Sequence, residues 1–537
     1  MEIIALSSLE KVFCDEALPE RELKSFSMLK NERSSFQVAF CPENDGDFTV
    51  ELCGEAACAT KAYIVRDVPV GLPCFSNADD YYLKKTAGNY PDVLEEIRGA
   101  FSVKKNCRYS VWIEISPNGF VGKNEITVTV SGSGEKASVT VTVDVIDALL
   151  PENDGVCTMW YHSDCICNYY GVEPFSDEYW RINENFMRTA ASHGMNCILT
   201  PLFTPPLDTK VGGERGTVQL VGVRRTGGKY RFNFSNLKKW IALAQKCGIK
   251  YFEMSHFFTQ WGAKHAPKVV ALDSKYREKK IFGWSTRTSS RDYDDFLRQL
   301  AAALIKFIDA NGIREYCLFH VSDEPSSSQI KTYKRRAALI SEIFPDFTVI
   351  DALSDLKFYK TGAVRQPVPN ENETEKFYGN VPVLWTYYCC GQGNEYLPNR
   401  FIAMPSLRNR VLGVIMYKFN IKGFLQWGYN FYNTQYSIES IDPYKVTDAG
   451  GAFPSGDSFA VYPAPDGKAV PSLRIKVFYD AFQDLAALRL LENKIGREGV
   501  LELIEKDLQK PLTFREYPHD EKWLLDLRER INSLIKE

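Results

Sequence analysis

Between Val156 and Asn430 the chain alternates short apolar runs with longer amphipathic stretches, and this rhythm limits the fold more than any other feature. The runs are "VCTMWYH" (156–162), "NCILTPLFT" (196–204), "IKYFEMSHFF" (249–258), "EYCLFHVS" (315–322), "FTVIDALS" (347–354), a weak "GAVRQPV" (362–368), "VPVLWTYYCC" (381–390) and "GFLQWGYN" (423–430). Runs of this length rich in β-branched and aromatic residues suit buried strands. The clearest stretch between them is Arg291 to Gly312, where Tyr293, Phe296, Leu297, Leu300, Leu304, Phe307 and Ile308 recur at helical spacing and Gly312 ends the pattern. "EYWRINENFMRTAASHG" and "LKKWIALAQKCG" repeat that grammar. Parallel strands need helical crossovers, so eight strand–helix units predict a (β/α)8 TIM barrel. A doubly wound open sheet is the alternative, because the sixth strand is weak.

Residues 1–150 read differently. "SSFQVAF", "KAYIVRDVPV", "YSVWIEI", "EITVTVSG" and "ASVTVTVDVID" alternate apolar with polar residues and are parted by turn signals such as "PENDGD" and "SPNG". An antiparallel β-sandwich is expected there, with "ALLPENDG" (Ala148 to Gly155) as a linker. From Val470 the sequence turns helical, through "LRIKVFYDAFQDLAALRLLENK" and "EKWLLDLRERINSLIKE". The expected division is a sandwich over 1–150, a barrel over 151–495 and a helical C-terminal extension over 496–537, as a chain of this length demands more than one core.

A net charge of −3 offers no basic surface for nucleic acid or anionic membrane. No stretch approaches the roughly 20 apolar residues of a membrane span. The opening "MEIIALSSLEKVFCDE" lacks a basic start followed by a long apolar run, so a cytoplasmic location is expected. Several of the 14 cysteines fall inside apparent strands (Cys157, Cys197, Cys317, Cys389), which suits reduced buried thiols better than a disulfide framework. "HSDCIC" holds His162, Cys165 and Cys167 but no spaced second ligand pair, so neither a metal nor any other cofactor is expected.

"LFHVSDEPSSS" ends the fourth run at Asp323 and Glu324. Acids and a proline also suit an ordinary helix start, and the pair gains meaning only from its place at the C-terminal end of a barrel strand. Other strand ends carry His162 with Asp164, His256, Asp351 with Asp355, then Trp385, Tyr387 and Tyr388, then Trp427, Tyr429 and Asn430. Carboxylates for proton transfer, polar groups for hydroxyls and flat rings for sugar faces describe a carbohydrate pocket. An aromatic content of 13% leaves rings for both core and pocket.

The chain resembles the family 123 glycoside hydrolases and their glycoside-hydrolase-like relatives over nearly its full length. "NERSSFQVAF", "YPDVLEE", "DEP" at 323–325, "WTYYCC" and "NRVLGVIMYKFNIKGFLQWGYN" carry the likeness, and "GDSFAVYPAPDGKAVPSLRIKVFYDAFQDL" is its most specific part. The resemblance implies exo-acting hydrolysis of a β-linked N-acetylgalactosamine. It implies Glu324 as acid/base and Asp323 as the group that orients and stabilises the 2-acetamido substituent, whose oxygen is the nucleophile. Glu324 is then expected to be raised by burial and by Asp323, which is expected to stay ionised.

Two rivals remain. One is a retaining hydrolase of a non-acetamido glycoside with Glu253 or Asp351 as nucleophile, although Glu253 reads more simply as a strand glutamate paired with a base. The other is a carbohydrate-binding protein without turnover.

Overall fold

The computed structural model describes every residue except 117 and 118, so the turn expected at "SPNG" lies partly outside the described residues. Two five-stranded sheets make up the N-terminal region. One runs in the order Glu2–Ser7, Ser34–Cys41, Tyr109–Ile115, Thr60–Val70, Gly88–Glu96, and is antiparallel throughout. The other runs Ser25–Leu29, Glu135–Ile146, Gly122–Gly132, Gly46–Cys53, Phe101–Val103, and only its first pairing is parallel. Alternation sends Phe36, Val38, Phe40, Val111 and Ile113 of the first sheet against Phe48, Val128, Val130, Val141 and Val143 of the second.

The eight apolar runs all contain strands. They are β1 (Val156–Met159), β2 (Cys197–Thr200), β3 (Tyr251–Met254), β4 (Cys317–Phe319), β5 (Thr348–Ala352), β6 (Gln366–Val368), β7 (Leu384–Tyr387) and β8 (Ile421–Gln426). They form one parallel sheet in the order β6-β5-β4-β3-β2-β1-β8-β7. A bridge between Asn370 and Tyr387, with the Tyr387 N–H donating to Pro369 O at 3.0 Å, draws β6 and β7 together and nearly closes the barrel. A nearly closed parallel barrel, not the open doubly wound alternative, is therefore present.

Helices follow the strands. In Arg291–Ala310 the residues Tyr293, Phe296, Leu297, Leu300, Leu304 and Ile308 are buried, and Gly312 lies just beyond with a φ of 64°. Leu473–Glu505 packs against the short helices Ser406–Arg410 and Leu412–Lys418, sets Phe478 on Phe424 of β8, and kinks at Gly496, where φ is 71°. The last helix, Glu521–Lys536, leaves the barrel for the sandwich. There Glu529 accepts from the Ser27 N–H at 2.8 Å and Arg528 pairs with Glu32 at 2.6 Å.

Most strands are shorter than their apolar runs because the run continues into a loop on the C-terminal rim, whereas the sixth run ends with its strand at Val368. The loops after β2 and β3 are long, and they build a separate four-stranded sheet from Gly222–Thr226, Lys229–Asn233, Val269–Leu272 and Glu278–Phe282. Cys14 and Cys107 are disulfide-bonded, against the expectation of reduced thiols throughout, because the sandwich brings two remote loops together. The other cysteines are free.

Candidate active site

An open-mouthed cavity of about 170 Å³ lies at the C-terminal ends of the barrel strands, with Asp323 and Glu324 in its wall beside Tyr387 and Trp427. The helix that follows does not need the two acids. Ser326 and Gln329 form a capping box there, with the Ser326 N–H donating to Gln329 Oε1 at 2.8 Å. Glu324 has a φ of +41°, a left-handed conformation uncommon for a residue with a side chain. Its N–H donates to Ala352 O at the end of β5 (3.0 Å), and Tyr387 donates to its Oε1 at 2.5 Å. The backbone turn thus aims an exposed carboxyl at the cavity, while Asp323 is half-buried.

The loop after β3 runs alongside this segment. Phe258 N–H donates to Val321 O (3.0 Å), Ser322 Oγ to Thr259 O (2.8 Å) and Trp261 N–H to Asp323 O (2.8 Å). Those bonds carry Gln260 and Trp261 to the cavity wall. Asp208, from the loop after β2, donates its N–H to Gln260 Oε1 (2.7 Å) and accepts from the Tyr436 N–H (3.0 Å), so loops far apart in sequence close one side. Burial lifts the Asp208 carboxyl to about 6, against the pull of the Tyr436 N–H and Arg215.

Asp323 was expected to stay ionised. Its carboxyl is instead lifted well above the usual range, first by burial and then by the charge of Glu324, with His320 pulling the other way. Asp323 is the more enclosed of the two acids, so water stabilises its charged form less.

Beneath the pair lies a polar floor. His320 places Nε2 2.6 Å from Glu253 Oε1 and Nδ1 3.2 Å from Asp351 Oδ1, with all three side chains fully buried. Glu253 also accepts from Thr158 Oγ1 and Trp160 Nε1, both at 2.6 Å. Asp351 accepts from the Val321 N–H (3.0 Å) and Ser322 N–H (3.3 Å), and from the Tyr333 hydroxyl. The two carboxylates outweigh the cost of burying His320 and raise it to about 9, so it is an imidazolium at neutral pH. Burial lifts Asp351 as well, but this ring of donors keeps it an acceptor. Asp351 therefore binds the backbone just ahead of Asp323.

Four of the residues expected at the site line the cavity: Asp323, Glu324, Tyr387 and Trp427. The rest lie behind it. Asp351 is in the floor. His256 stacks on His320 with ring centroids 4.1 Å apart and 20° between planes, and neither of its nitrogens finds a protein partner. One donor atom from each of His256, His320 and Asp351 falls within 4.8 Å of the others. Near-parallel rings do not converge their in-plane lone pairs, and both His320 nitrogens are engaged, so the trio fits a metal poorly.

Trp385 fills the barrel interior over Gly423, where a Cβ would come within 1.9 Å of its ring. Tyr388 faces the outer layer against Phe424, with ring centroids 5.0 Å apart. Tyr429 also points outward, donating to Phe186 O at 2.9 Å. It parts from Trp427 because β8 ends at Gln426, so the two-residue alternation no longer applies.

His162 and Asn430 are fully buried wall supports. Asn430 Oδ1 accepts the His162 N–H at 2.8 Å. Arg215, which only donates, contacts His162 Nδ1 at 3.0 Å, so the Nε2–H donates to Trp427 O at 2.9 Å. Burial and Arg215 push this imidazole down to about 3, and it is neutral. Asp164 holds the same Arg215 at 2.7 Å, and Asp355 caps the short helix Leu356–Lys360.

Trp160, Asp208, Gln260, Trp261, Tyr436 and Phe453 line the cavity without having been singled out in the sequence. For Trp160 the signal was present, since it lies in the first apolar run directly after β1. Asp208 and Tyr436 lie in loops with no local pattern. His320 was also passed over, although it directly follows β4, two residues after Leu318 of the barrel interior. Trp427 is held by its Nε1–H donating to buried Asp457 at 2.9 Å, and burial raises that carboxyl to about 7.

Residues 160–491 match the family model described as Glycoside hydrolase 123, catalytic domain. Among solved structures, a family 123 glycoside hydrolase from Clostridium perfringens is similar over 100% of this chain and 97% of its own, with a TM-score of 0.76 at 13% identity. At that identity the likeness speaks for the fold. A putative beta-galactosidase from Bacteroides fragilis follows at a TM-score of 0.33 and 8% identity, covering 84% of this chain and 59% of its own, too distant to argue from. No curated protein sequence matches.

Proposed function

The chain belongs to glycoside hydrolase family 123, and from that premise we propose that it removes a terminal β-linked 2-acetamido sugar, N-acetylgalactosamine foremost, by a substrate-assisted retaining route. One observation carries the reading: the cavity presents an adjacent acid pair, while Glu253 and Asp351, the carboxylates once weighed as nucleophiles, are fully buried and bonded within the floor. A retaining enzyme with its own nucleophile sets two carboxyls about 5–5.5 Å apart across the anomeric carbon. Neighbouring acids on one turn suit a substrate that brings its own nucleophile.

Glu324 protonates the departing glycosidic oxygen as the acetamido oxygen attacks the anomeric carbon. It then takes a proton from the water that opens the oxazoline. Asp323 accepts from the acetamido N–H. Its ionised form is costly in the free site, and positive charge growing on that nitrogen relieves the cost. The interaction therefore strengthens towards the transition state, which is the condition for catalysis. Tyr387 and Trp427 flank the pair and suit one sugar face. The Clostridium perfringens relative is described as hydrolysing glycolipid glycans, which supports a glycan substrate here. The many free cysteines support a cytoplasmic setting, and the Cys14–Cys107 bond is the feature against it.

The test compares aryl β-glycosides of 2-acetamido-2-deoxygalactose and of galactose, with a thiazoline mimic of the oxazoline as inhibitor. Turnover confined to the acetamido sugar, with strong thiazoline inhibition, is expected. A second reading makes Asp208, the third carboxyl in the cavity wall, an enzyme nucleophile. Efficient turnover of the plain galactoside, with a glycosyl ester trapped on Asp208, would establish that reading instead.

A further inference from the structure

Tyr387 donates to Glu324, and two residues later the chain turns both Cys389 and Cys390 towards the same cavity. Neither is in a disulfide, and both are half-buried. Adjacent in sequence, both border this one cavity. The backbone beneath them is pinned: the Cys389 N–H donates to Gln392 Oε1 and Asn399 Nδ2 donates to Cys389 O, each at 2.9 Å. Two adjacent sulfurs are thus held at the edge of the proposed sugar pocket.

Their surroundings select the chemistry they accept. Contact with Cys390, then burial, then the charges of Glu324 and Asp457 hold the Cys389 thiol protonated. Alkylation and peroxide oxidation proceed through a thiolate, so both are slowed at Cys389. A soft trivalent centre that binds two sulfurs and discards their protons as water is not restrained in the same way.

We propose that Cys389 and Cys390 form a two-thiol binding site for soft thiophiles of the trivalent arsenical class, and that filling it blocks the pocket beside Glu324. With an arsine oxide, two As–S bonds form and two S–H bonds break. The oxide oxygen leaves with both protons as water, and arsenic stays trivalent, so no oxidant is required. The blocking step rests on the reading of this cavity as the glycosidase site; the binding step does not.

The experiment treats the full chain with phenylarsine oxide and follows intact mass, peptide mapping and turnover of the best aryl glycoside. One adduct bridging Cys389 and Cys390 is expected, with turnover falling by more than about tenfold. A dithiol should reverse the loss and a monothiol should not. Cys389→Ser and Cys390→Ser, each compared with its own untreated rate, should lose both the bridging adduct and the inhibition. An adduct mapped only elsewhere, or inhibition of both variants equal to that of the parent, would overturn the site. A bridging adduct with undiminished turnover would keep the site, overturn the blocking step and count against the cavity as the place of hydrolysis.

Discussion

Tyr387, at the end of the seventh barrel strand, donates its hydroxyl hydrogen to Glu324 Oε1 at 2.5 Å and so orients a carboxyl that follows the fourth strand. An intramolecular hydrogen bond contributes about 0.5–1.5 kcal/mol. Tyr387→Phe should therefore lower kcat/KM by roughly two- to tenfold without unfolding the protein. An unchanged rate would show that Glu324 needs no partner on that side.

Glu324→Gln should nearly abolish turnover of substrates with poor leaving groups and spare more activity on activated aryl glycosides, whose departure needs little proton assistance. The substitution also removes the largest cause after burial that lifts Asp323, the charge of Glu324. Asp323 should then ionise at lower pH, and the acidic limb of the rate profile on an activated substrate should move in the acid direction. Equal loss on both substrate classes, with an unmoved limb, would argue for a structural role.

His320 should make stability fall towards alkaline pH. Its folded value of about 9 lies above the usual 6.5, so its contribution is fully present below about 6.5 and is lost as pH rises through about 9. The difference corresponds to about 3 kcal/mol. His320→Gln should flatten the urea-unfolding free energy across that window. It should also shift the acidic limb of the rate profile upward, since the imidazolium opposes the lifting of Asp323. A slope that persists in the variant would place the titration elsewhere.

Asp208→Asn should keep kcat within about tenfold of the parent if Asp208 binds substrate and the acetamido group is the nucleophile. With its carboxyl lifted to about 6, any effect on KM should appear mainly above that pH. A loss of several orders of magnitude, rescued by azide with a glycosyl azide as product, would make Asp208 the nucleophile.

The strand–helix rhythm from Val156 to Asn430 was enough to predict eight parallel strands, because a strand's period and a helix's apolar stripe are local properties of the chain, while closure into a barrel was decided by the bridge between Asn370 and Tyr387. Asp323 and Glu324 were legible for the same reason: they end an apolar run, and in a barrel that end is the rim. Tertiary structure decided which side chains share the cavity. Trp427 and Tyr429 part company once β8 stops pairing at Gln426, and nothing at residue 429 announces that. Asp208 meets Tyr436 through one hydrogen bond across 228 residues of sequence. The charge of His320 depends on two carboxylates from other strands, and the lift on Asp323 on how much water its neighbours exclude. Periodicity is written in adjacent residues, whereas burial and electrostatics depend on what the fold brings alongside them.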